Sequence, residues 1–128
     1  MNAVSMNTVS MNDSTTADDC LFCRIAAGQI PSSMVLETDA VVAFRDIAPK
    51  APTHVLVVPR AHHVDVSAVA ASSPALLAEM VDIAQRVADR ECGGQFRLLF
   101  NVGPEAGQTI AHAHAHVLGG APAGGVLP

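Results

Sequence analysis

The chain has no Trp and no Tyr, and four Phe supply all of its aromatic side chains. Readers of single-stranded nucleic acid stack bases on aromatic residues beside a basic groove. This sequence offers neither, because 7 Lys and Arg stand against 12 Asp and Glu, for a formal net charge of −5. No nucleic-acid partner is expected, and any phosphate must be held locally by histidines and main-chain amides. No apolar run approaches the roughly 20 residues that cross a bilayer, so no membrane partner is expected. The first residues lack a basic and then apolar leader, so no signal peptide is expected. Cysteine is scarce as well. Cys20, Cys23 and Cys92 are an odd number with one close pair, which does not make a secreted disulfide framework. The expected location is the reducing cytoplasm.

The 128 residues fit one domain. Half are hydrophobic, so the core must be built from Val, Leu, Ile and Ala with a few Phe and Met. Residues 1–17 hold a near-repeat, Met-Asn-x-Val-Ser, followed by a Ser/Thr/Asp stretch. They read as a disordered tail, or as an over-long start with Met6 or Met11 as the initiator. The domain is expected over 18–128.

Asp18 or Asp19 is placed to cap a short helix over Cys20–Gly28, with Gly28 as its stop. Val35–Glu37 and Val41–Arg45 read as a hairpin around Thr38-Asp39. His54–Pro59 is a nearly continuous apolar run and reads as a central strand. Ser73-Pro74 opens a long helix whose stripe is Leu77, Met80, Val81, Ala84 and Val87, and Gly93-Gly94 ends it. Phe96–Asn101 and Ile110–Leu118 read as two further strands. Strands adjacent in sequence with short links favour antiparallel pairing and an α+β domain. Arg60 and Arg97 read as solvated charges, and Cys92 as a helix-end residue without a role.

The most informative stretch is Gly107-Gln-Thr-Ile-Ala-His-Ala-His-Ala-His-Val-Leu-Gly-Gly120. On a strand, His112, His114 and His116 share one face, while Ala111, Ala113, Ala115 and Val117 share the other. Three such imidazoles suit a metal or a nucleophile about equally. The neighbours favour a tetrahedral oxyanion. Gly107, Gln108 and Thr109 supply amides and a hydroxyl, Asn101 ends the preceding strand, and His54 opens another. The pair Cys20-x-x-Cys23 is half a metal site or a redox pair. A strand-to-helix context of the thioredoxin kind is missing, and a pair of small buried thiols is the plain reading.

Ala51-Pro52-Thr53-His54, Asn101, Gly107-Gln108-Thr109 and the His112/His114/His116 triplet closely resemble the histidine-triad (HIT) family, and within it the Hint branch. The resemblance covers about Cys20 to Gly120. It implies an antiparallel sheet of about five strands with one long and one short helix, extended across a two-fold homodimer. It implies a nucleotide-binding hydrolase that cleaves purine nucleoside 5'-phosphoramidates, or related AMP conjugates, through a nucleotidyl-histidine intermediate. His114 is the implied nucleophile, with His116, His112, His54 and Thr109 completing the catalytic set. The implied purine-nucleotide site comprises Phe22, Ile25, Phe44, Asp46, Ile47, Asn101, Gly107, Gln108, Thr109, His114 and His116. Asp46 would hold the ribose, and the four apolar residues are core, pocket wall or both. Cys20, Cys23, His62 and His112 are the implied ligands of a structural Zn²⁺, with His63 as the alternative to His62. No cofactor is implied for catalysis itself. The alternatives are a dinucleoside polyphosphate hydrolase or nucleotidyl transferase of the same superfamily, and a non-catalytic nucleotide- or zinc-binding dimer. The chain departs from the branch at its end, which lacks the Trp-containing tail that reaches the partner's site.

Overall fold

The computed structural model describes residues 19–120. The expected N-terminal tail, Asp18 and the Gly/Pro/Ala-rich end after Gly120 lie outside the described residues. Within them the elements are α1 (Leu21–Ala26), β1 (Met34–Glu37), β2 (Val41–Arg45), β3 (Thr53–Pro59), α2 (Val66–Ser72), α3 (Pro74–Glu91), β4 (Arg97–Leu99) and β5 (Ala115–Gly119). The five strands form one antiparallel sheet in the order β1-β2-β3-β5-β4. The expected α+β class and five-stranded antiparallel sheet are therefore present.

Alternation along the strands sorts side chains onto two faces. Val41, Ala43, Val55, Val57, Ala113, Ala115 and Val117 pack under α3 with Met80, Ile83, Ala84, Val87 and Ala88. Val42, Phe44, Leu56 and Val58 point the other way and pack with Cys20, Phe22 and Ile25 of the α1 region. The pairs Leu56↔His116 and His54↔Leu118 belong to this second face. The histidines thus stand on the side of the sheet opposite the long helix. The alanines between them are small enough for α3 to pack closely.

Three expectations about elements change. The cap of α1 is Cys20, whose sulfur accepts the Cys23 amide at 3.4 Å, rather than an aspartate. The α-helices number three among the described residues, because Asp65 caps an unforeseen α2 through its bond from the Ala68 amide at 2.9 Å. That helix reads VSAVAAS and buries only Val69, so it carries no apolar stripe to recognise. In α3, Val81 is 41% exposed while Ile83 and Ala88 are buried, so the core stripe is rotated from the expected one.

Arg60 is not a solvated charge. Its guanidinium donates to Ala26 O at 2.7 Å and Thr38 O at 3.0 Å and pairs with Glu37 at 3.1 Å. It therefore anchors the end of α1 to the β1–β2 turn. Arg45 forms a two-pronged pair with Glu91 at 2.7 and 2.8 Å, tying β2 to the end of α3. Gly119 carries no Cβ because Cys92, at the end of α3, fills the space where one would sit. Cys92 thus has a packing role that its sequence position does not announce.

Candidate active site and metal centre

β5 begins at Ala115, later than the strand expected from Ile110. His116 is on the ladder, opposite Leu56 on β3 and Leu99 on β4. His112 and His114 precede it in an irregular approach. The rings of His114, His116 and His54 gather: His114 and His116 lie 5.0 Å apart, and His116 and His54 5.2 Å. All four histidines are buried, with His114 and His116 at 7% and 6% exposure. Phe22 of α1 sets its ring edge-on to His114 at 5.0 Å and to Phe44 at 5.6 Å.

Hydrogen bonds fix which nitrogens carry protons. The Lys50 amide donates to His54 Nδ1 at 3.0 Å, so the proton of neutral His54 sits on Nε2. That nitrogen lies 3.0 Å from His116 Nδ1 and donates to it. The His116 proton is then on Nε2, the one buried side-chain nitrogen or oxygen without a partner among the described residues. His114 Nδ1 donates to the His112 carbonyl at 2.8 Å, leaving Nε2 as its lone-pair nitrogen. Burial keeps all these rings neutral. It pushes His116 down to about 4, with help from His114 and His54, and it lowers His114 and His54. Asp46 Oδ2 stands 3.5 Å from His54 Nε2, while Oδ1 accepts the Ala48 amide at 2.7 Å.

His112 faces a different group. Its Nε2 donates to Pro59 O at 2.8 Å, and Nδ1 lies 3.2 Å from Cys20 Sγ and 3.4 Å from Cys23 Sγ. Cys23 Sγ is also 3.4 Å from His62 Nδ1. One ligand atom from each of Cys20, Cys23, His62 and His112 lies within 4.8 Å of the others. A tetrahedral zinc shell, with bonds of about 2.3 Å to sulfur and 2.0–2.1 Å to nitrogen, separates neighbouring ligand atoms by roughly 3.3–3.8 Å. The donor set therefore fits that ion, and His62 rather than His63 belongs to it. The His112–Pro59 bond is the kind of outer-shell contact that orients a ligating imidazole. Burial, reinforced by the Cys20 thiol, pushes Cys23 up to about 12.

Asp46, His54 and His116 also bring three ligand atoms within 4.8 Å. The Lys50 amide argues against a metal there, because it occupies His54 Nδ1 and turns the Nε2 proton into the cluster. In this second group His54 and His116 form a hydrogen-bond relay, with the Asp46 carboxylate beside it.

The remaining expected site residues are spread more widely. Ile25 and Phe44 are buried beside Phe22. Ile47 is 101% exposed and belongs to no core. Gly107 has a positive φ of 95° and ends a short 3-10 turn, Pro104–Ala106. A Cβ there would lie 3.8 Å from Asn101 Nδ2, so Asn101 sits beside this turn. Thr109 is exposed. Gln108 is buried with its side chain fully engaged: Oε1 accepts the Gly103 amide at 2.9 Å, and Nε2 donates to Val64 O at 2.7 Å and Ile110 O at 2.9 Å. That side chain ties the loop together, and the Gln108 main-chain amide donates to Gly103 O at 3.1 Å, so the residue shapes the turn from within. Sequence reasoning missed the Lys50 amide and the Pro59 carbonyl, since main-chain groups leave no residue-type signal.

A family model described as the HIT domain matches residues 27–123. The chain belongs to the HIT family. It is 38% identical to the purine nucleoside phosphoramidase of Escherichia coli K12, over 87% of this chain and 95% of that one. An uncharacterised HIT-like protein of Synechocystis is 43% identical, over 83% and 94%. Among solved structures, a HIT family hydrolase from Clostridium thermocellum is 36% identical with a TM-score of 0.81, covering 88% of this chain and all of that one. A HIT family hydrolase from Legionella pneumophila is 42% identical with a TM-score of 0.77, covering 81% and 95%. These relatives place the HIT chain among enzymes, as the sequence led us to expect. No helix among the described residues is long and apolar enough to cross a membrane.

Proposed function

We propose that this HIT family hydrolase cleaves purine nucleoside 5'-phosphoramidates or related AMP conjugates through a nucleotidyl-His114 intermediate. The observation that carries the reading is the pairing of two imidazoles with opposite roles. His114 offers a lone pair on Nε2, and the neighbouring His116 offers a buried Nε2 proton with no partner. The first can attack phosphorus, and the second can donate to a non-bridging phosphate oxygen whose charge grows during attack. The P–N bond then breaks, and the leaving amine takes a proton from the Thr109 hydroxyl. Water next attacks the nucleotidyl-imidazole, gives one proton back to the Thr109 oxygen, releases AMP or GMP and returns His114 to its neutral state. His54 positions His116, and Asp46 holds the ribose. The Thr109 main-chain amide and the Asn101 amide complete the phosphate cradle, while the Gly107 and Gln108 amides bond Pro104 O and Gly103 O and hold the turn that presents them. Phe22, Ile25 and Phe44 wall the base, with Ile47 at its exposed rim.

Cys20, Cys23, His62 and His112 would hold a structural Zn²⁺, which ties α1 to the segment before β5. We further propose a homodimer through the free edge of β4 and the adjoining α3, where Leu98 and Val81 are 37% and 41% exposed. Three cysteines with no disulfide among them fit a cytoplasmic protein.

The test is AMP release from adenosine 5'-phosphoramidate. Wild-type protein should turn over, and His114→Ala should bind AMP without turnover. Wild-type protein that binds AMP but never releases the amine is a binding module. Preference for dinucleoside polyphosphates over phosphoramidates points to the other branch of the superfamily.

A further inference from the structure

The nucleophile is not on the β-ladder. The last pairs of β5 are Val57↔Ala115 and Leu99↔His116, so ladder bonds fix His116 and stop short of His114. Residues 110–114 are held by other ties. The Ala113 amide donates to His63 O at 2.7 Å, and His112 Nε2 donates to Pro59 O at 2.8 Å. Gln108 Nε2 joins Ile110 O to Val64 O at 2.9 and 2.7 Å. Every one of these ties leads to the stretch 59–64, the last residue of β3 and the loop after it. The four-donor cluster spans the same gap, since His62 lies in that stretch and His112 in the other.

His112 takes part in both centres. Its ring belongs to the Cys20/Cys23/His62 cluster, while its carbonyl accepts the His114 Nδ1 proton at 2.8 Å. We infer that the four-donor site, when loaded with metal, positions the nucleophile. It holds the His112 peptide so that its carbonyl keeps the His114 proton on Nδ1 and the Nε2 lone pair toward the phosphate. Cys20, Cys23 and His62 then act as positioning residues for a reaction they do not touch. Neutral imidazole has two tautomers, and the one with Nε2–H cannot attack. A shift of about 1 Å in a reacting group is enough to cost on the order of 10²-fold in rate. α1 need not move with the metal, because Arg60 holds Ala26 O at 2.7 Å and Phe22 and Ile25 stay buried.

The inference rests on the metal and nucleophile readings above, and its test separates them. Zinc content, the side-chain ¹⁵N shifts of His114 and phosphoramidate kinetics are measured together. The samples are wild type, chelator-stripped wild type, Cys20→Ser/Cys23→Ser and Cys23→Asp, which keeps an ion-binding donor. Metal loss should move His114 from the Nδ1–H signature to a tautomer mixture and lower kcat about 10- to 100-fold, with KM changed less than about threefold. Reloading zinc, or Cys23→Asp with zinc, should restore the signature. A folded metal-free protein that keeps Nδ1–H and full kcat overturns the inference. So does wild type that takes up no zinc. Loss of the whole fold in both metal-free samples also overturns it, since the metal would then hold the molecule and not the nucleophile. A zinc-dependent ¹⁵N change in protein with no turnover at any zinc level sinks the proposed activity instead and leaves the positioning intact.

Discussion

At the residue scale, one amide sets the sense of two imidazoles. The Lys50 N–H bond to His54 Nδ1 sends the His54 proton toward His116 and, through it, a donor into the site. Replacing His116 by Ala removes that donor. Such a loss lowers turnover by about 10²–10³-fold in comparable oxyanion sites, and steady-state kinetics on adenosine phosphoramidate should read a value in that range. His116 also links stability to pH. Its folded value is about 4, below the roughly 6.5 of an unfolded histidine. Between those values the unfolded chain binds a proton that the native chain does not. Stability from neutral His116 is therefore complete above pH 6.5 and is lost as pH falls toward 4. Thermal melts across that range should steepen downward in wild type, and His116→Gln, which cannot take the proton, should show a shallower fall.

Gln108 is the second informative residue. The sequence offers it as a phosphate contact, yet its amide is spent on Gly103, Val64 and Ile110. Truncation to Ala strands three main-chain groups at a buried site, at a cost of about 2 kcal/mol. For a domain of this size that lowers Tm by about 6–10 °C. A melt within a degree or two of wild type would contradict the assigned role.

At the element scale, alternation made much of the sheet readable. Val41–Arg45 and His54–Pro59 appear as strands at those positions, the second with Thr53 added. The shared face of the triplet followed from period two. Where strand regularity ends was not readable, because an alternating sequence does not say where the ladder stops; His112 and His114 lie outside β5, where the Ala113 amide bonds His63 O and the His112 amide bonds Ile110 O. α2 was missed because its seven residues carry no apolar stripe, with Val69 alone buried. Its cap, Asp65, is a residue type found in any turn. The contact of α3 with β5 gives a cleaner test. Gly119→Ala should destabilise by about 1–3 kcal/mol through overlap with Cys92. Adding Cys92→Ala should recover much of that loss, and purely additive effects in chemical denaturation would argue against the contact.

At the scale of the whole molecule, the sheet divides labour between its faces. One face meets α3 and supplies most of the apolar core, while the other, with α1, carries the imidazoles and the cysteine pair. The cysteine spacing and the histidine triplet were legible separately. That His112 belongs to both groups was implied by family likeness and is supported here by distances to both sulfurs. The free edge of β4 bears on assembly. Leu98→Lys should shift the protein from dimer to monomer in sedimentation, and a wild-type monomer at working concentration would remove the dimer from the account.

The central claim is that His114 Nε2 attacks phosphorus. Rapid quench of wild-type protein with adenosine 5'-phosphoramidate, followed by peptide mass spectrometry, tests it most directly. The account predicts a transient adenylyl group on His114, absent from His114→Ala, decaying at the rate at which AMP appears. Turnover with no adduct on His114, and undiminished in His114→Ala, would contradict it.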